Sequence, residues 1–144
     1  GKLGNKEMIF AAARTLYRDE NHMYRKKLTR TSIELMLPPY TRLIREGIDQ
    51  GIFTNPYAEE TAELILHMSQ AWGDVIVPLM LEALEKQEKR VEFYRKTEAF
   101  QHAVERVLGA ERGVVEFYPP DLMNSFFEDS NDTKEPDTRG ESNG

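Results

Sequence analysis

Residues 64 to 84, LILHMSQAWGDVIVPLMLEAL, carry apolar side chains nearly all the way round a helix. Leu64, Ile65, Met68, Ala71, Trp72, Val75, Ile76, Leu79 and Met80 cover far more than one face. Such a helix cannot lie on a surface with half its girth in water; it needs neighbours on two sides. The feature therefore calls for a helical bundle with this segment in its middle. A chain of 144 residues is long enough to supply one core of that kind. The most apolar stretch, VIVPLML at 75–81, is bracketed by Asp74 and Glu82. A bilayer span takes about 20 apolar residues, so the stretch reads as buried helix and no membrane partner is expected. Pro78 frees the carbonyl of Asp74 and is expected to kink the helix.

The rest of the chain is also patterned as helix. A first helix is expected over about 6–18, with Met8, Ile9, Ala12, Ala13 and Leu16 at three-to-four spacing. RDEN at 18–21 breaks it, and Asn21 can cap a second helix over about 22–36. Pro38 and Pro39 are expected to end that helix, with Pro39 opening a third that runs to Gly51. Asn55 and Pro56 suit the start of the fourth, whose first turn carries Glu59 and Glu60. A break is expected near Gln87. A fifth helix then carries Phe93, Thr97, Phe100, Val104, Val107 and Leu108 in one stripe and ends at Gly109. GVVEFY at 113–118 is the only segment with any strand character. PPDLMNSFF at 119–127 can form a short amphipathic turn with Leu122, Met123, Phe126 and Phe127. Residues 128–144 hold six acids against two bases and no large apolar side chain, which predicts a disordered tail. The expected divisions are thus 1–112, a helical domain; 113–127, an extension; and 128–144, the tail.

Charge and composition narrow the function. The net charge of −6 is unlike the basic face a DNA-binding domain presents to phosphates. The chain has no cysteine, which removes disulfides, thiolate metal sites and cysteine nucleophiles. No phosphate-cradling glycine loop and no G-x-S-x-G elbow is present, and no enzyme is expected. Glu63 with His67, and Glu98 with His102, are pairs at i,i+4, whereas carboxylate-bridged metal bundles use Glu-x-x-His at i,i+3. No metal and no cofactor is expected.

Two glycines sit four apart in RLIREGIDQGIF, residues 42–53. Gly51 follows the last periodic residue, where a left-handed cap suits glycine. Gly47 lies inside the helix, where glycine costs roughly 1 kcal/mol relative to alanine; close packing against another helix would account for it. RLIREGIDQGIF, then NPYAEETAELIL, then AVERVLGA resemble, in order and spacing, the C-terminal domain of the TetR family of bacterial transcription regulators. The proline-led start at Pro38 and Pro39 agrees. The likeness covers roughly residues 6–112.

The resemblance implies an all-α, multi-helix effector-binding and dimerisation domain of a cytoplasmic regulator, commonly a repressor. The family's last two long helices pair with their copies in a homodimer, which would place Val75, Leu79, Phe93, Phe100, Val104 and Leu108 at the interface. A small apolar or amphipathic effector would bind within the bundle, and Tyr17, Tyr24, Met36, Tyr40, Met68, Trp72, Asp74, Met80 and Tyr94 are the candidate lining. The same methionines and aromatics would equally serve an ordinary core. The family's helix-turn-helix should precede residue 1, so DNA would be reached only through that N-terminal domain. The alternative is a freestanding helical bundle that acts as a protein-interaction module, docking through residues 119–127 and the acidic tail.

Overall fold

The computed structural model describes residues 2–116 together with Asp121, Asn124, Ser125 and Phe127. Among these residues there are four α-helices and no strand: α1 Lys2–Leu16, α2 His22–Asp49, α3 Ala58–Glu85 and α4 Lys89–Leu108, with a 3-10 turn at Asp19–Asn21. The α3 helix is the central element, packed against α2 on one side and α4 on the other. It is long and apolar enough, by length and composition alone, to cross a membrane. Here its apolar girth meets two neighbouring helices, as the all-round pattern requires.

The core has two storeys. The upper one joins Ile44 of α2 to Ala58, Ala62 and Ile65 of α3 and to Phe100, Val104 and Leu108 of α4. The lower one joins Ile76, Leu79 and Ala83 of α3 to Phe93 of α4 and to Phe127. The start of α3 thus meets the end of α4, and the end of α3 meets the start of α4, so the pair is antiparallel. Helix α3 ends at Glu85 and α4 begins at Lys89, which places the break at the expected position.

Several boundaries differ from expectation, each for a local reason. Pro38 and Pro39 do not end a helix; α2 runs through both. The carbonyls they leave without an amide partner belong to Glu34 and Leu35, which are exposed, so water can serve them. The second and third expected helices are therefore one of 28 residues. Pro78 likewise lies inside a continuous α3. The first helix starts earlier and ends earlier than expected. Asn55 is not the N-cap of α3; Tyr57 holds that position. Asn55 instead accepts the Tyr57 N–H at 3.0 Å and donates its Nδ2 to the Val107 carbonyl at 2.7 Å. With the Thr54 and Asn55 amides bonded to Gly109 and Leu108, it satisfies the open C-terminal end of α4. Asn21 precedes α2 without a capping bond, its side chain donating to Thr15. Residues 113–116 form no strand. Residues 117–118 of GVVEFY, most of 119–127 and all of the acidic tail lie outside the described residues.

Both glycines of the 42–53 motif have a geometric cause. Gly51 takes φ +73 just beyond α2. The Ile52 amide bonds to Gly47 at 2.8 Å and the Gly51 amide to Ile48 at 3.0 Å, the two bonds of a Schellman close. That close turns Phe53 back over the helix. A Cβ at Gly47 would overlap the Phe53 ring. The close packing is real, but its partner is the chain's own returning phenylalanine, not another helix.

Candidate functional site

Two concave regions beside α3 share Ala71. The first lies between α3 and α4. It is a groove of about 370 Å³ lined by Met68, Ala71, Trp72, Ala99, Phe100 and Ala103, almost wholly apolar. Trp72 stacks on Phe100 with ring centroids 6.3 Å apart, and the Lys96 ammonium stands 5.7 Å from the Trp72 ring. The Trp72 indole N–H is buried without an acceptor among the described residues. The groove continues into an exposed apolar stripe on α3, where Leu64 is 56% and Val75 42% exposed. On the facing helix Ala99 is open to solvent and Ala103 half-buried.

The second region lies between α2 and α3. It is a polar cleft of about 370 Å³ lined by His22, Arg25, Lys26, Thr29, His67, Gln70, Ala71 and Asp74. The α2 residues recur at i, i+3, i+4 and i+7, and the polar residues of α3 at i, i+3 and i+7. Each set therefore lies on one helical face, and the fold sets the two faces opposite each other. At the inner end the Arg25 guanidinium lies 4.5 Å from the Tyr17 ring centroid. Its Nη1 donates to the Leu16 carbonyl at 3.1 Å. Its Nε lies 3.5 Å from the Asp74 carboxylate. Burial, and then the nearby Asp74 carboxylate, push the Tyr17 phenol above its ordinary pKa against an opposite pull from Arg25, and a hydrogen bond to Asp74 raises it further.

The candidate ligand residues divide among several places. Tyr17 and Asp74 come together at the polar cleft, and Met68 and Trp72 at the apolar groove. Tyr40 packs against the upper core, while Met80 and Tyr94 surround the lower core beside Phe127. Tyr24 is exposed, and Met36 is half-buried on α2 away from both regions. Of the six residues expected to face a partner, Leu79, Phe93, Phe100, Val104 and Leu108 are buried in the core of the single chain. Only Val75 is exposed. The stripe on α4 points inward, so the open face is carried by the alanines one step round the helix. His67 lines the polar cleft. His102 instead stands in a separate cleft on the outer side of α4 with Arg95, Glu98 and Arg112. Among the described residues no three His, Asp or Glu side chains gather as a metal set.

Sequence reasoning passed over Arg25, His22 and Lys26. Their shared helical face was legible, but only the fold shows that it meets α3 instead of open solvent. It also passed over Glu105, which is 1% exposed and accepts the Gly113 amide on both carboxylate oxygens at 3.1 and 3.2 Å. That bond fixes the turn after α4 and is structural.

No curated protein and no solved structure matches this chain. The family model described as the tetracyclin repressor-like C-terminal domain matches residues 4–102, which take in all of α2 and α3 and most of α1 and α4. The all-helical architecture around a two-sided α3 agrees with that match, and the chain belongs to the TetR-like C-terminal domain family.

Proposed function

We propose that the chain is the effector-binding and dimerisation domain of a bacterial, cytoplasmic transcriptional repressor, which reaches DNA through a separate helix-turn-helix domain. The observation that carries this reading is the uncovered apolar face of α3 and α4. Leu64, Ala71 and Val75 stand exposed beside the Met68–Trp72 groove on the most apolar helix of the chain. A second copy, turned by a two-fold axis, would lay its own α3 and α4 across that face and close a four-helix layer. The exposed alanines let the helices approach closely. The effector is a small amphipathic molecule that enters the cleft between α2 and α3. It acts by population shift: a ligand that rearranges the Arg25–Asp74 contact favours one packing of α2 on α3, and the DNA-reading domains follow. No bond is made or broken.

Acrylamide quenching of Trp72, the only tryptophan, tests the pairing face. Wild type and Ala99→Glu are compared, since Ala99 is exposed in the single chain and the substitution spares its core. The expected result is stronger quenching in the variant, with helix content unchanged by circular dichroism. Equal quenching in the two proteins would contradict pairing through this groove.

A further inference from the structure

Resting on the effector reading of the cleft, we infer that the site between α2 and α3 binds the anionic group of its ligand, a carboxylate or phosphate, on Arg25 in place of Asp74. The chain is acidic overall, at −6, yet this cleft gathers Arg25, Lys26, His22 and His67 around one carboxylate. Arg25 is held from behind: its Nη1 is bonded to Leu16 and its guanidinium carbon stands 4.5 Å from the Tyr17 ring centroid. The opposite edge, Nε and Nη2, is the one presented to the cleft. Its two contacts are both long, 3.5 Å from Nε to Asp74 and 3.3 Å from Nη2 to His22 Nδ1. A guanidinium edge of this kind pairs best with a planar or tetrahedral oxyanion through two parallel bonds near 2.8 Å. Asp74 meets Arg25 at one long contact, its other partner is the Tyr17 phenol, and its side chain is 58% exposed, so it is a replaceable occupant of the Arg25 edge. Lys26, which also lines the cleft, adds positive potential. Thr29, Gln70 and His67 supply the remaining hydrogen-bonding groups. Displacing Asp74 from Arg25 removes the ion pair that ties α2 to the middle of α3, which couples occupancy to helix packing.

Isothermal titration calorimetry on the 144-residue chain tests this with three probes of similar body: benzoate, phenyl phosphate and benzyl alcohol. The expected result is binding of at least one anion about tenfold tighter than the alcohol. The tighter of the two anions tells carboxylate from phosphate. Asp74→Asn, which removes the competing carboxylate, is expected to tighten anion binding by about threefold or more, and Lys26→Gln to weaken it by a similar factor. Both positions are solvent-exposed, so the fold tolerates the changes. Benzyl alcohol binding as tightly as the anions would overturn the anion assignment while leaving the effector reading intact. Anion affinity left unchanged or weakened by Asp74→Asn would overturn it as well. Failure of all three probes to bind would also overturn it, and the Trp72 quenching measurement would still test the pairing face on its own.

Discussion

Gly47 is where one missing side chain decides a turn. The glycine makes room for the Phe53 ring, which the Schellman close at Gly51 folds back over α2. Alanine would gain about 1 kcal/mol of helix propensity but would force the ring aside, and overpacking of that kind costs about 1–3 kcal/mol. Gly47→Ala is therefore expected to lower Tm, and the double variant Gly47→Ala/Phe53→Leu to recover part of the loss, as thermal unfolding would show. Sequence spacing identified Gly47 as a close-packing position. It could not identify the partner, because that depends on where Phe53 lands after the turn. Tyr17 gives a second residue-scale test. Its phenol is held above the ordinary tyrosine pKa by burial and by Asp74, so the folded state keeps the proton more firmly than the unfolded chain does. The sign follows: stability is untouched at neutral pH and falls as pH rises above about 10. In Tyr17→Phe, denaturant midpoints measured between neutral and alkaline pH should fall less steeply over that range than in wild type.

At the scale of elements, the prolines and the C-terminal segment teach different things. Pro38 and Pro39 carry the usual signal for a helix end, and that rule loses here because the freed carbonyls face water while Thr41, Ile44 and Gly47 farther along α2 are buried in the bundle. Tertiary packing of one face outweighs a local cost of about 3 kcal/mol per proline. By contrast, the end of α4 was readable from sequence, since Gly109 caps it at φ +66. The charged run after Leu84 holds no Gly or Pro, and the break near Gln87 was expected mainly because long isolated helices are uncommon in small domains. Phe127 is the element-scale contact whose partners the sequence does not announce, though the sequence predicts an amphipathic turn around it. It is 3% exposed, edge-on to both Phe93 and Tyr94, with the Arg90 guanidinium 4.9 Å from its ring centroid. Nearby, Tyr94 donates to Asn124 at 3.2 Å and Lys6 of α1 to the Ser125 carbonyl at 2.9 Å. The segment thus joins α1 to the lower core. Phe127→Ala is expected to destabilise the domain by about 3 kcal/mol, read from urea unfolding. A change below about 0.5 kcal/mol, within the range of ordinary surface substitutions, would mean that this ring is not part of the core.

At the scale of the whole molecule, the central helix explains both what was legible and what was not. Its all-round apolar pattern correctly demanded neighbours on two sides, and α2 and α4 supply them. The pattern did not reveal that two neighbours still leave a third strip open, at Leu64, Ala71 and Val75. Nor did the stripe on α4 reveal that its large residues serve the single chain's own core and leave alanines for the outer face. The candidate ligand residues scattered for the same reason: aromatics and methionines fill cores as readily as sites, and only Tyr17 with Asp74, and Met68 with Trp72, converge. Pairing through the open face is the claim on which the functional account rests. Sedimentation equilibrium of the wild-type chain and of Leu64→Glu/Ala99→Glu tests it most directly. The account predicts twice the chain mass for wild type and a folded species of single-chain mass for the variant. A wild-type monomer, or a variant that stays dimeric, would contradict it.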